Sequence, residues 1–152
     1  MEIPEKLIQG QIEEGKVYFF FDAVPEGSDL IPKHFHICLK IHEEIVYLLC
    51  CTTQEQTIDN YIQSTHLDWK TKVYIAPTTT NGLPKDTYLN CNSVKSCDFE
   101  ELVKLYKKRG ISFSGEITTD EFNTIKVGIL SSAVVEPYIK KLFLPGTSAA
   151  EE

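Results

Sequence analysis

From residue 34 to residue 41 apolar and polar side chains alternate: Phe35, Ile37, Leu39 and Ile41 against His34, His36, Cys38 and Lys40. A period of two predicts a strand with one apolar and one polar face. After Glu43 and Glu44, residues 45–51 are apolar on both faces, which predicts a central strand covered on both sides. The two runs form an antiparallel hairpin, so the start of the first lies beside the end of the second. Residues 17–21 (Val-Tyr-Phe-Phe-Phe) predict an earlier strand. Two later strands are expected at residues 72–76, stopped by Pro77, and at residues 87–92.

Helical spacing appears elsewhere. Ile58, Tyr61, Ile62 and Thr65 recur at three and four, predicting a short helix over 55–66 that residues 69–71 end. The chain is expected to turn helical after Asn92. Asp98 is the candidate N-cap of a helix over 99–108, with acids in its first turn, bases in its last and Gly110 as the stop. A short strand at 111–113 follows. Thr118 and Glu121 have capping-box spacing for a helix reaching about Val134, and Pro137 suits the first turn of a final helix. Residues 4–14 read as a short helix or an irregular arm. The order is strands first, one inserted helix, then helices, which predicts an α+β chain on a small, strongly bent sheet or partly open barrel.

With 152 residues, one domain over 1–144 is expected, followed by a disordered tail over 145–152. No apolar run is long enough for a bilayer, and the N-terminal residues lack a signal-peptide pattern, so a cytoplasmic protein with no membrane partner is expected. Five cysteines without a CxxC pair read as reduced thiols, mostly buried. The net charge of −7, with Arg109 the one arginine, argues against a broad duplex-DNA face. It leaves room for a local groove that grips a few nucleotides.

Candidate chemistry gathers at the two adjoining ends of the hairpin. Lys33, His34 and His36 stand at the start of the first strand, and Thr52 and Thr53 at the end of the second. His34 and His36 share a side of the strand, and an imidazole exchanges protons near neutral pH. Lys33 and a threonine hydroxyl suit a phosphoryl charge. Paired histidines suit a metal too, but no third ligand stands out, so neither metal nor cofactor is expected. The bland reading of all five is the wet face of a hairpin. Cys50 and Cys51 read as packing residues, with a cysteine hydrolase as a third functional class. Thr78 and Thr79, in a polar loop, and the stripe Asp86, Tyr88, Asn90 are candidate substrate contacts. Turn and edge roles are their structural alternative.

In the order of these motifs the chain resembles the PemK/MazF-like toxin family. The resemblance is carried by Gly15-Lys16-Val17-Tyr18-Phe19, Pro32-Lys33-His34-Phe35-His36-Ile37-Cys38-Leu39, Leu48-Leu49-Cys50-Cys51-Thr52-Thr53, the segment 83–91, and the helical segments up to about residue 135. It implies an SH3-like β-barrel with an inserted helix and C-terminal helices, usually a homodimer. It also implies a metal-independent endoribonuclease that cleaves single-stranded RNA and is held by an antitoxin protein. The family arginine of the second strand has no counterpart here, where Lys33 or His34 takes the place, while its threonine is matched by Thr52 or Thr53. The alternative is a barrel of the same kind without catalysis, binding protein or nucleic acid.

Overall fold

A computed structural model describes residues 10–145 of the chain. The expected arm over 4–14 is described only from residue 10, where it makes turns, and the expected tail lies outside the described residues beyond Pro145.

Seven strands form one antiparallel sheet: β1 Lys16–Phe20, β2 His34–His42, β3 Ile45–Thr52, β4 Lys72–Ile75, β5 Thr87–Asn90, β6 Lys95–Asp98 and β7 Ile111–Glu116. The helices are α1 Glu55–Thr65, α2 Phe99–Lys107, α3 Thr119–Leu130 and the short α4 Pro137–Lys140. The strands run β4-β5-β3-β2-β1-β7, with β6 beside β3. The fold is therefore α+β, as the element order predicted. β3 is the axis: β2 lines one edge along its length, while β6 pairs with Ile45–Leu48 and β5 with Cys51 and Thr52 on the other.

The sheet is not closed into a barrel, since β4 and β7 end the strand order unpaired with each other. It curls enough for one contact between its ends. The N–H of Glu116 in β7 donates to the carbonyl of Thr80, in the loop after β4, at 2.9 Å. Glycines permit that approach. A Cβ on Gly115 would lie 2.4 Å from the Asn81 carbonyl carbon, and one on Gly82 (φ +69°) 1.9 Å from the Ser114 oxygen.

Two cores occupy opposite faces. Val17, Ile37, Leu39, Leu49, Cys51, Val73, Ile75 and Leu89 meet Ile125 and Ile129 of α3 and, after α4, Leu142 and Phe143. Tyr18, Phe20, Cys38, Val46 and Leu48 meet Leu102, Val103 and Leu105 of α2. The middle of β2 is thus buried on both faces, which corrects the expected wet face: residues 36–39 are all buried. The alternation also breaks. Leu39 is the extra residue of a bulge between Cys38↔Leu48 and Lys40↔Tyr47. Beyond it, Ile41 joins the second core, whereas Phe35, Ile37 and Leu39 belong to the first.

Other differences are local. β6 falls where the chain was expected to turn helical, because β3 offers it a second edge. Asp98 precedes α2 without a side-chain capping bond. The Thr118–Glu121 capping box forms in both directions, but α3 ends at Leu130, short of the expected Val134. Residues 69–71 form a separate 3-10 turn that Asp68 caps through the Lys70 N–H. β7 is twice the expected length. Among the described residues, no helix is long and apolar enough to cross a membrane.

Candidate functional site

Cross-strand partners share a face of a sheet. Lys72 and Tyr74 in β4 stand opposite Asn90 and Tyr88 in β5, and Tyr88 stands opposite Thr52 in β3. These side chains share the face on which α1 rests. Two concavities flank α1 there.

The first is a cavity of about 250 Å³ walled by Ile31, Cys50, Thr52, Thr57, Ile58, Tyr61, Asn90, Ser93 and Lys95. Thr52 and Asn90, both singled out from sequence, meet there. Ile31 and Ile58 give the wall apolar surface, and it also carries hydroxyls, an amide and one ammonium. The wall holds no carboxylate, and among the described residues Lys95 has no ion-pair partner. An ammonium among hydroxyl donors, without a competing acid, suits an anion. Two of these groups are already partly engaged. Thr52 Oγ1 accepts from the Gln54 N–H at 3.0 Å, leaving its own O–H to donate. Asn90 Oδ1 accepts from the N–H and the side-chain amide of Asn92, at 3.0 and 2.9 Å, leaving its own NH₂. Lys95 and Tyr61 were missed by sequence reasoning. Lys95 stands in the overlooked β6, and Tyr61 reads equally well as packing.

The second is an open groove walled by Thr53, Glu55, Lys72, Tyr74, Pro77, Lys85, Asp86 and Tyr88. It holds three further sequence candidates: Thr53, Asp86 and Tyr88. The Tyr74 and Tyr88 rings lie 5.5 Å apart, and the Tyr74 hydroxyl donates to Asp86 at 2.8 Å. That bond to the carboxylate raises the Tyr74 pKa and keeps the phenol protonated. Lys72 is clamped by Asp59 at 2.7 Å and Glu55 at 2.5 Å, which raises its pKa. The clamp fastens α1 to β4.

The remaining candidates stand apart from both concavities. Lys33 has a left-handed backbone (φ 62°) at the turn into β2, and its N–H donates to the Phe20 and Phe21 carbonyls. Its exposed ammonium lies 3.7 Å from Asp22. His34 Nδ1 lies 3.0 Å from the Pro32 carbonyl. His36 is fully buried against Phe20, with ring centroids 4.4 Å apart. Its Nε2 accepts from the Ile31 N–H at 3.5 Å, which leaves Nδ1 to donate to the His34 carbonyl at 3.4 Å. Burial pushes the His36 pKa down to about 3, and nearby His34 and Lys95 add to this, so the ring is neutral at pH 7. His36 pairs directly with Cys50, but the β2–β3 ladder stops there, and Thr52 turns to β5. Ile31, whose N–H meets the edge of the His36 ring, stands in the cavity wall where a histidine was expected.

Thr78 belongs to a loop organised by Asn81, which is completely buried. Asn81 Oδ1 accepts from the N–H groups of Thr78 and Leu83, and Nδ2 donates to the Ala76 carbonyl and to Glu121. Thr78 Oγ1 in turn accepts from the Asn81 N–H at 3.0 Å. Thr79 is exposed in the same loop, away from both concavities. Cys51 is buried, and burial raises the Cys50 thiol pKa to about 11. Among the described residues, no group of three or more His, Cys, Asp and Glu side chains is placed to hold a metal ion.

No protein-family model matches the chain, and no curated protein matches it significantly.

Proposed function

We propose that this protein is a binding module of the PemK/MazF-like kind that holds a phosphorylated ligand, a nucleotide unit of single-stranded RNA, in the Lys95 cavity. The observation that carries this reading is the meeting of Thr52, Asn90 and the unpaired Lys95 in one cavity whose wall has no carboxylate. Lys95 takes the phosphoryl charge, and Thr52, Thr57 and Ser93 offer hydroxyls. Tyr61 and Ile58 give a base an apolar seat. The reading keeps the threonine of the toxin resemblance and replaces its missing arginine with a lysine from another strand.

Binding without cleavage is the form favoured here. Attack of a ribose 2′-hydroxyl on phosphorus needs a base within hydrogen-bond reach. His36 is fully buried, its lone-pair Nε2 is taken by the Ile31 N–H and burial makes it a weak base, while His34 turns toward Pro32.

The test is binding of short single-stranded RNA oligonucleotides in EDTA, read by anisotropy, with cleavage followed on a gel. Wild-type protein is expected to bind without cutting. Lys95→Ala and Thr52→Val are each expected to weaken binding at least fivefold, Lys95→Ala also lowering the salt dependence. Cleavage that His34→Ala abolishes would instead establish a toxin-like endoribonuclease. No binding at all would sink both nucleic-acid readings.

A further inference from the structure

We propose that the open edge of β4 docks an extended segment of a partner protein that carries lysine or arginine at alternate positions. This inference uses other residues than the Lys95 cavity and stands independently of the RNA reading.

β4 ends the strand order, with β5 as its one sheet partner among the described residues. The phase of that ladder follows from one bond, the Cys91 N–H to the Thr71 carbonyl at 2.8 Å. Hydrogen-bonded and non-bonded pairs alternate in an antiparallel ladder. Thr71 therefore faces inward, as do Val73 and Ile75, while the backbone groups of Lys72 and Tyr74 point out to the open edge. The Lys72 N–H is taken by the Trp69 carbonyl, and the Ala76 carbonyl by Asn81 Nδ2 at 2.9 Å. Between these two stops remain the Lys72 carbonyl, the N–H and carbonyl of Tyr74, and the Ala76 N–H. They are the groups an added strand engages.

The surroundings select what is added. A residue paired with Tyr74 would point its side chain to the same face as Tyr74, onto the Tyr74–Tyr88 rings and beside Asp86. Two carboxylates (Glu55 and Asp86) and two amines (Lys72 and Lys85) line this groove, and Asp59 adds a third acid behind Lys72, which Glu55 and Asp59 already clamp. The whole chain carries −7. Lys72 already lies 5.6 Å from the Tyr88 ring centre, so the exposed Tyr74 ring beside Asp86 is what offers an incoming cation both a π-face and a charge. Trp69 and Tyr74 flank the edge, each more than half exposed, and both are residue types enriched at binding hot spots. Outward backbone groups fit a polypeptide, and the Asp86 carboxylate beside Tyr74 disfavours a phosphate backbone.

The test uses a fluorescent ten-residue peptide of alternating lysine and valine, followed by anisotropy and by backbone amide exchange of the whole protein. A peptide of the same composition in scrambled order and one N-methylated at alternate residues serve as controls. The expected result is binding to wild type, at least tenfold weaker for Tyr74→Ala and for the N-methylated peptide. Asp86→Asn should bind several-fold more weakly, and the Tyr74 amide should be slowed in exchange by the bound peptide. Equal binding of the scrambled or N-methylated peptide would overturn the proposal, as would an unprotected Tyr74 amide. Single-stranded RNA protecting this edge in place of the peptide would also overturn it. So would self-association that Tyr74→Glu abolishes.

Discussion

His36 and Cys50 are direct partners across the β2–β3 ladder, yet only Cys50 reaches the Lys95 cavity. The imidazole is fully buried, accepting the Ile31 N–H and donating to the His34 carbonyl. A proton added to Nε2 would set two donors against each other in a site without water access.

Stability should therefore fall with acid in a way His36 controls. Its folded pKa, about 3, lies below its unfolded value of 6.5. The contribution of the neutral ring is complete above pH 6.5 and is lost as pH falls from there toward 3. The slope from this one group approaches about 1.4 kcal/mol per pH unit. Urea unfolding of wild type and His36→Gln at pH 7, 5.5 and 4.5 checks this: the stability gap between the two proteins should shrink on acidification. A gap independent of pH would mean the ring titrates normally.

The contact that curls the sheet predicts a contrast among glycines. Gly82 and Gly115 sit where a Cβ meets backbone atoms of the facing segment, which cannot swing away as a side chain could. Gly82→Ala and Gly115→Ala should each cost about 3 kcal/mol. Gly15 also has a positive φ, of 87°, but nothing lies within 4 Å of its Cβ position. Gly15→Ala should cost only the left-handed backbone penalty, about 1 kcal/mol. Thermal unfolding of the three variants separates close approach from conformation.

Asn81 ties the same contact to α3. It serves two backbone N–H groups and one carbonyl from a site without exposure, and its amide also reaches Glu121 Oε2 at 3.3 Å. Glu121 Oε1 meanwhile closes the capping box on the Thr118 N–H at 2.7 Å. Asn81→Ala should cost about 3 kcal/mol, because buried donors are orphaned, and Thr118→Ala about 1 kcal/mol. Similar losses in the two variants would show that the Asn81 loop rearranges to satisfy its own backbone.

How far these features could be read from sequence depended on what shaped them. Period two and apolar runs located β1 to β5, because each strand carries its own inward residues, although the bulge at Leu39 breaks the alternation of β2. β6 has only Cys97 turned inward among four residues, and its pairing comes from the second edge of β3. Nothing local announces that. The histidines failed for a related reason. Alternation placed His36 correctly on the face opposite Ile37, but whether that face is wet depends on the 21–31 segment folding over it. Asn81 read as loop polarity and Asn92 as the polar end of a strand, although each is the buried centre of a hydrogen-bond network. Thr52 and Asn90 were legible, since strand ends carry polar residues toward open space. Their companion Lys95 could be found only with β6.

Cys50 offers a direct view of the Lys95 cavity. Four of the five cysteines are buried, and Cys50 alone is partly open, in the cavity wall. In folded protein at pH 8, one thiol should react with a small maleimide or iodoacetamide, slowly, because burial raises its pKa to about 11 and keeps the thiolate scarce. The other four should react only on unfolding. A nucleotide or short RNA seated beside Lys95 would cover the Cys50 sulfur, so saturating ligand should slow its alkylation several-fold. Lys95→Ala should remove that protection with the fold intact. Peptide mapping of the modified residue is the readout. Protection that persists in Lys95→Ala would place the ligand elsewhere, and modification of Cys51 in place of Cys50 would overturn the face assignment of β3.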